Sequence, residues 1–141
     1  MPSAENNYGY VLDSYAILAY FEGEAGSSRV KELLEMAEAG QCHLYMCMVN
    51  LGEVTYIIER EKGLAKAQES LARIDELAVE TVTVDRSLAL EAAHLKAECA
   101  IAFADCSAAA LSKMKDAILI TGDPEFSKLK PECNVKIEWL K

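Results

Sequence analysis

At 141 residues, 52% of them hydrophobic, the chain has enough apolar material for one domain (residues 1–141) with a sizeable core, which argues against a disordered chain. A net charge of −9 argues against a broad basic nucleic-acid platform, though bound cations could supply positive charge locally. No uncharged apolar stretch is long enough to span a bilayer, and MPSAENNYGY lacks the basic and apolar regions of a signal peptide, so a cytoplasmic protein with no membrane partner is expected.

In chain order, Tyr8–Leu12 reads as a first strand and Ser14–Glu22 as a helix with Ile17, Leu18 and Phe21 at helical spacing. Ser27 to about Ala39 is a second helix, stopped by Gly40, and His43–Met48 a second strand. Helices follow over Asn50–Lys62 and Leu64–Leu77, divided by Gly63, then a strand at Glu80–Val84. Asp85 can cap a helix to about Lys96, and an alanine-rich helix runs from about Asp105 to Lys115. The run Ala117–Ile120 has the two-faced hydrophobicity of a buried parallel strand. It stops at Thr121-Gly122-Asp123-Pro124, where Gly122 can supply an unusual backbone angle and Pro124 suits the start of a helix to about Leu129. Val135–Leu140 is a last strand. This alternation predicts an α/β fold with a mostly parallel central sheet covered by helices on both faces.

Five cysteines, odd in number and without a CxxC pair, argue against a disulfide framework. Cys42, His43 and Cys47 suggest a fragment of a zinc site, but two small apolar side chains of a core strand is the simpler reading.

Among only six aspartates, three follow predicted strands: Asp13, Asp85 and Asp123. Asp105 opens the helix leading into the fourth strand. Each reads by itself as an N-cap, its carboxylate accepting backbone N–H bonds at the positive end of a helix dipole. In a parallel sheet, however, helix starts that follow strands share one edge, so Asp13 and Asp123 converge if their strands are neighbours. Glu53, in the otherwise apolar segment VNLGEV, is either a solvated glutamate or a carboxylate aimed at that same edge. Crowded carboxylates repel unless a cation is present. Mg²⁺ or Mn²⁺ suits such a site, being a hard ion that takes a few carboxylates, water and phosphate oxygens. An ion there can activate water and neutralise a phosphodiester, a nuclease chemistry that needs no histidine. The two histidines, His43 and His94, have no catalytic or zinc spacing.

The fragments VLDSYAILAYF, VNLGEV, AIAFADCSAAALSKMKDAILITGDPEFSKL and VKIEWL, in this order and spacing, resemble the PIN domains, and especially the single-domain VapC-like ribonuclease toxins of toxin–antitoxin pairs. The resemblance implies a three-layer α/β/α sandwich. It also implies an endoribonuclease site in which Asp13, Glu53, Asp105 and Asp123 hold Mg²⁺ or Mn²⁺, supported by Ser14 and Thr121. It further implies an RNA substrate, a small antitoxin partner and a homodimer. Asp85 matches no ligand position and stays a cap, while Asp116 reads as solvent-facing. Lys113, Lys115, Lys128, Lys130 and Arg60 are candidate phosphate contacts, with solvated surface the simpler reading. A PIN-like fold serving only as a protein-binding module is the alternative, motivated by the acidic surface. Dinucleotide and P-loop enzymes are disfavoured because neither GxGxxG nor GxxxxGK[ST] occurs.

Overall fold

The computed structural model describes residues 8–141, so of the N-terminal stretch read above as lacking a signal, residues 1–7 lie outside it. Five strands, β1 (Tyr8–Leu12), β2 (Cys42–Cys47), β3 (Glu80–Val82), β4 (Ile118–Thr121) and β5 (Ile137–Trp139), form one sheet in the order β3-β2-β1-β4-β5. Every pairing is parallel. Among the described residues, six helices accompany them: α1 (Ser14–Glu22), α2 (Ser27–Glu38), α3 (Met48–Lys62), α4 (Leu64–Glu76), α5 (Arg86–Glu98) and α6 (Phe103–Met114). Short 3₁₀ turns occupy Pro124–Lys128 and Pro131–Cys133.

The period-2 geometry of the strands divides the apolar residues between two layers. On β1, Tyr10 and Leu12 face a core shared with Leu44, Met46, Ile17, Leu33 and Ile74, whereas Val11 faces Leu88, Leu95, Leu111 and Phe126. The result is the expected α/β/α sandwich. Ala108, Ala109 and Ala110 are fully buried, and their small side chains let α6 lie close against β1, β2 and β4. All five cysteines are free and buried. Cys42 and Cys47 point into the core from β2 while His43, between them, is exposed, so those three do not converge.

The strand order reverses at β1, which lies between β2 and β4. In open α/β sheets, such a switch point opens a crevice beyond the carboxyl ends of the strands. Leu12 pairs with Ile120, so the next residues, Asp13 and Thr121, stand side by side at that edge.

Several boundaries differ from the expectation, and two of them matter. Helix α3 begins at Met48 rather than Asn50, and α6 begins at Phe103 rather than Asp105. Continuous backbone hydrogen bonding recruits these apolar residues into the first turns, and Ala102, not Asp105, occupies the N-cap of α6. Asp105 is therefore a first-turn residue whose carboxylate is not spent on a cap. Gly122 also departs from its expected role. It does not take a positive φ, unlike Gly23, Gly26, Gly40 and Gly63. Its requirement is space, because a Cβ there would stand 2.3 Å from Cε1 of Tyr15.

Candidate active site

The site is built at the carboxyl edge of the sheet from the ends of β1 and β4 and the starts of α1, α3 and α6. Asp13 is its most buried acid, with 2% exposure. It caps α1, its Oδ1 accepting the backbone N–H of Ala16 at 2.9 Å. Its Oδ2 accepts the hydroxyl of Thr121 at 2.5 Å, a contact fixed by the register of β1 against β4. Thr121 Oγ1 in turn accepts the backbone N–H of Asp123 at 3.0 Å. One buried hydroxyl thus ties the first acid to the segment carrying the last. Asp123 caps the following 3₁₀ turn through the N–H of Glu125 at 2.9 Å. Ser14 donates its hydroxyl to Glu53 Oε1, joining the first turn of α1 to the middle of α3. Glu53 is half-buried and tethered across the fold rather than freely solvated.

Charge proximity shows the convergence. Burial pushes the Asp13 carboxyl up to about 7, against the lowering effect of the bonds from Thr121 and Ala16, and the charges of Asp105 and Asp123 push it further. Asp105 rises to about 6 through burial first, then through the charges of Asp123, Glu53 and Glu125. Asp105 thus links the group, feeling Glu53 and Asp123 and acting with Asp123 on Asp13. Among the described residues, none of the four forms an ion pair with a lysine, arginine or histidine. As the side chains stand, no three His, Cys, Asp or Glu residues among those described are close enough to hold one ion directly. Asp85 remains outside this group as the N-cap of α5, accepting the N–H of Leu88, and Asp116 is exposed at a positive-φ turn.

Two members of the site carry no clear signal in the sequence. Asn50, fully buried, donates from Nδ2 to the carbonyl of Ala104 at 3.3 Å, and its Oδ1 is left without a partner. It lies one helical turn before Glu53 and grips the residue preceding Asp105, so it links the two helices that carry these acids. Glu125 adds a fifth negative charge near Asp105 and is itself paired with Lys128 at 2.9 Å. An acid two residues beyond Asp123 is the only sequence signal for it. The candidate cations are mostly occupied: Lys113 pairs with Glu91, Lys128 with Glu125, Lys115 lies over Tyr45 and Arg60 over Tyr56.

Thr121→Val tests the central bond. The change keeps the shape of a fully buried side chain but strips a hydrogen bond from Asp13 and the acceptor from the N–H of Asp123. We expect a loss of about 1–3 kcal/mol in denaturant unfolding, the usual cost of leaving buried polar groups unpaired. The Asp13 carboxyl should also titrate higher still, because Thr121 now holds it down.

The comparisons with known proteins agree with this architecture. The family model described as PIN domain matches residues 10–131. No curated protein sequence matches the chain. Among solved structures, it is similar to a chain of VapBC2 from Rickettsia felis bound to a DNA fragment from their promoter, with a TM-score of 0.74 at 18% identity, covering 94% of this chain and 99% of that one. It is similar to VapBC-1 from nontypeable Haemophilus influenzae, with a TM-score of 0.70 at 16% identity over 93% and 97% of the two chains. It is also similar to VapC20 from Mycobacterium tuberculosis, a sarcin-ricin loop cleaving toxin, with a TM-score of 0.64 at 21% identity over 84% and 92%. At these identities the likeness is one of fold. The match over residues 10–131 takes in the end of β1, all of β4 and every helix between them, and the chain belongs to the PIN domain family.

Proposed function

We propose that this protein is a divalent-metal-dependent endoribonuclease that cuts RNA phosphodiester bonds, and that it is the toxin of a toxin–antitoxin pair. The observation that carries the first part is the crowding of Asp13, Glu53, Asp105 and Asp123 at the sheet's switch point, with no ion pair to any of them among the described residues. A protein that buries repelling carboxylates without a counter-charge is suited to receive one. The donor set fits Mg²⁺ or Mn²⁺: all oxygen, all acidic, and too widely set for direct chelation by three side chains. Mg²⁺ typically keeps several waters and takes one or two carboxylates directly, the others acting through water. When bound, such an ion supplies a water of lowered pKa and neutralises charge on the phosphodiester.

In this reading the residues divide the work. Asp13 and Asp123 form one wall, set in register by Thr121. Glu53 and Asp105 form the other, with Ser14 fixing the orientation of Glu53 and Asn50 setting the distance between their helices. The carboxylates would accept the proton lost by the attacking water, since neither histidine pairs with any of the four acids. Antitoxin association is a further part of the proposal, supported by the VapBC structures that share the fold, and a homodimer is a part that rests on the family resemblance alone. Among the described residues, no helix is long and apolar enough to cross a membrane.

The test is cleavage of RNA by purified protein with Mn²⁺ or Mg²⁺, beside Glu53→Gln and Asp105→Asn. We expect cleavage that needs the metal and falls in each variant by on the order of 10-fold to 100-fold or more, at least the loss that outer-shell changes cause. Equal cleavage by all three proteins would remove these acids from the mechanism. The toxin assignment is checked separately: growth arrest on expression, relieved by the protein encoded beside it.

A further inference from the structure

We propose that the ring of Tyr15 is a stacking platform for a nucleobase next to the phosphodiester that is cut, an assignment that rests on the ribonuclease reading above. Tyr15 follows Asp13 and Ser14 directly and occupies the first turn of α1. Its ring lies against the backbone of Gly122, between Thr121 and Asp123, where a Cβ would stand 2.3 Å from Cε1, 2.8 Å from Cζ and 3.0 Å from Oη. Gly122 does not take a positive φ, so what a side chain there would meet is the Tyr15 ring, which would have to shift. This large side chain is seated against the site at one point, yet it remains 41% exposed. An aromatic ring held at its hydroxyl end and largely open elsewhere, beside Asp13 and Asp123, offers stacking surface next to the site where the substrate would lie.

The charge of the protein makes such a surface necessary. With a net charge of −9, and with Lys113 and Lys128 engaged by Glu91 and Glu125, phosphate neutralisation can supply little of the affinity for a polyanion. Stacking does not depend on the sign of the protein's charge. It also tolerates any base, since every base has a π-face. The platform therefore selects an unpaired nucleotide at the cut and leaves the sequence choice to other contacts.

The experiment uses the intact protein and a randomised pool of short single-stranded oligoribonucleotides carrying 2-aminopurine in place of adenine. Binding is read by fluorescence quenching and cleavage by gel in Mn²⁺, for wild type, Tyr15→Leu, Tyr15→Phe and Tyr15→Trp. Mn²⁺ affinity and Tm are measured on each. Leucine keeps an apolar contact with Gly122 but has no π-face. We expect Tyr15→Leu to weaken RNA binding and kcat/KM roughly 5- to 100-fold, the range for one stacked base. Quenching should be lost, with Mn²⁺ affinity and Tm unchanged. Phenylalanine and tryptophan should retain both binding and quenching, and the affinity should depend only shallowly on salt. Wild-type binding, quenching and cleavage by Tyr15→Leu would overturn the platform and leave the ribonuclease reading standing. Tyr15-dependent quenching without metal-dependent cleavage would keep the platform and overturn the nuclease. A wild type that neither binds nor cleaves the pool would overturn both.

Discussion

Asp13→Asn should abolish metal-dependent cleavage, by on the order of 100-fold or more, while leaving the metal-free protein at least as stable as wild type at pH 8. The two halves of this result have one cause. Asp13 is 2% exposed, and burial is what chiefly lifts its carboxyl to about 7. At pH 8 the wild-type group is ionised in a place that resists ionisation, with Asp105 and Asp123 adding repulsion. Asparagine removes that charge. Its carbonyl oxygen can still accept the N–H of Ala16, so the cap on α1 survives. Its amide faces Thr121, whose hydroxyl must then turn from donor to acceptor. Thermal unfolding in EDTA at pH 8 checks the stability, and cleavage in Mn²⁺ checks the activity. A variant that loses activity because it has lost its fold would show a lowered Tm in EDTA, which contradicts the prediction. The opposite pairing, a stable variant that still cleaves normally, would take Asp13 out of the mechanism.

The sequence carries the fold more plainly than the site. Strands β1 and β4 are legible because YVL and ILI are apolar on both faces, as a central parallel strand demands, and the helices between them show one apolar stripe each. The short edge strands β3 and β5 are also legible, but with looser ends, because hydrogen bonding on one side leaves their termini to tertiary context. The four acids could be picked out by their positions relative to strands. Their states could not. Asp105 looked like a cap because nothing local says that Phe103 and Ala104 join the helix, and only tertiary packing settles that start. Asn50 was hidden inside an apolar helix segment, since its partner is a backbone carbonyl 54 residues away. Gly122 suggested a turn conformation, when its cause is a tyrosine ring more than a hundred residues earlier in the chain. In each case the missing information is a contact between elements, which composition and periodicity do not encode.

The same carboxylates predict how stability and metal affinity should depend on pH. An acid whose folded value is raised keeps its proton in the folded state after the unfolded chain has lost it. Folding then takes up protons, and stability falls as pH rises between the two values. For Asp13 that window runs from 3.8 to about 7, and for Asp105 from 3.8 to about 6. In EDTA, Tm should therefore decline from about pH 5 to about pH 7 and level off above it. The contribution from Asp105 should be the smaller, since it is only half-buried and water screens it. Mn²⁺ competes for the same oxygens and must displace whatever protons they hold. Its affinity should rise with pH through this window, by roughly 10-fold per pH unit for each proton displaced, and flatten near pH 7 to 8. Calorimetry at pH 6 in buffers of different ionisation enthalpy should show proton release on binding, and Asp13→Asn should release fewer protons than wild type. With Mn²⁺ saturating, the decline of Tm should disappear, because the ion supplies the positive charge that the fold itself withholds. A metal-free Tm that rises from pH 5 to pH 7, or Mn²⁺ binding that releases no protons, would mean that these acids do not share the field that their placement around β1 and β4 gives them.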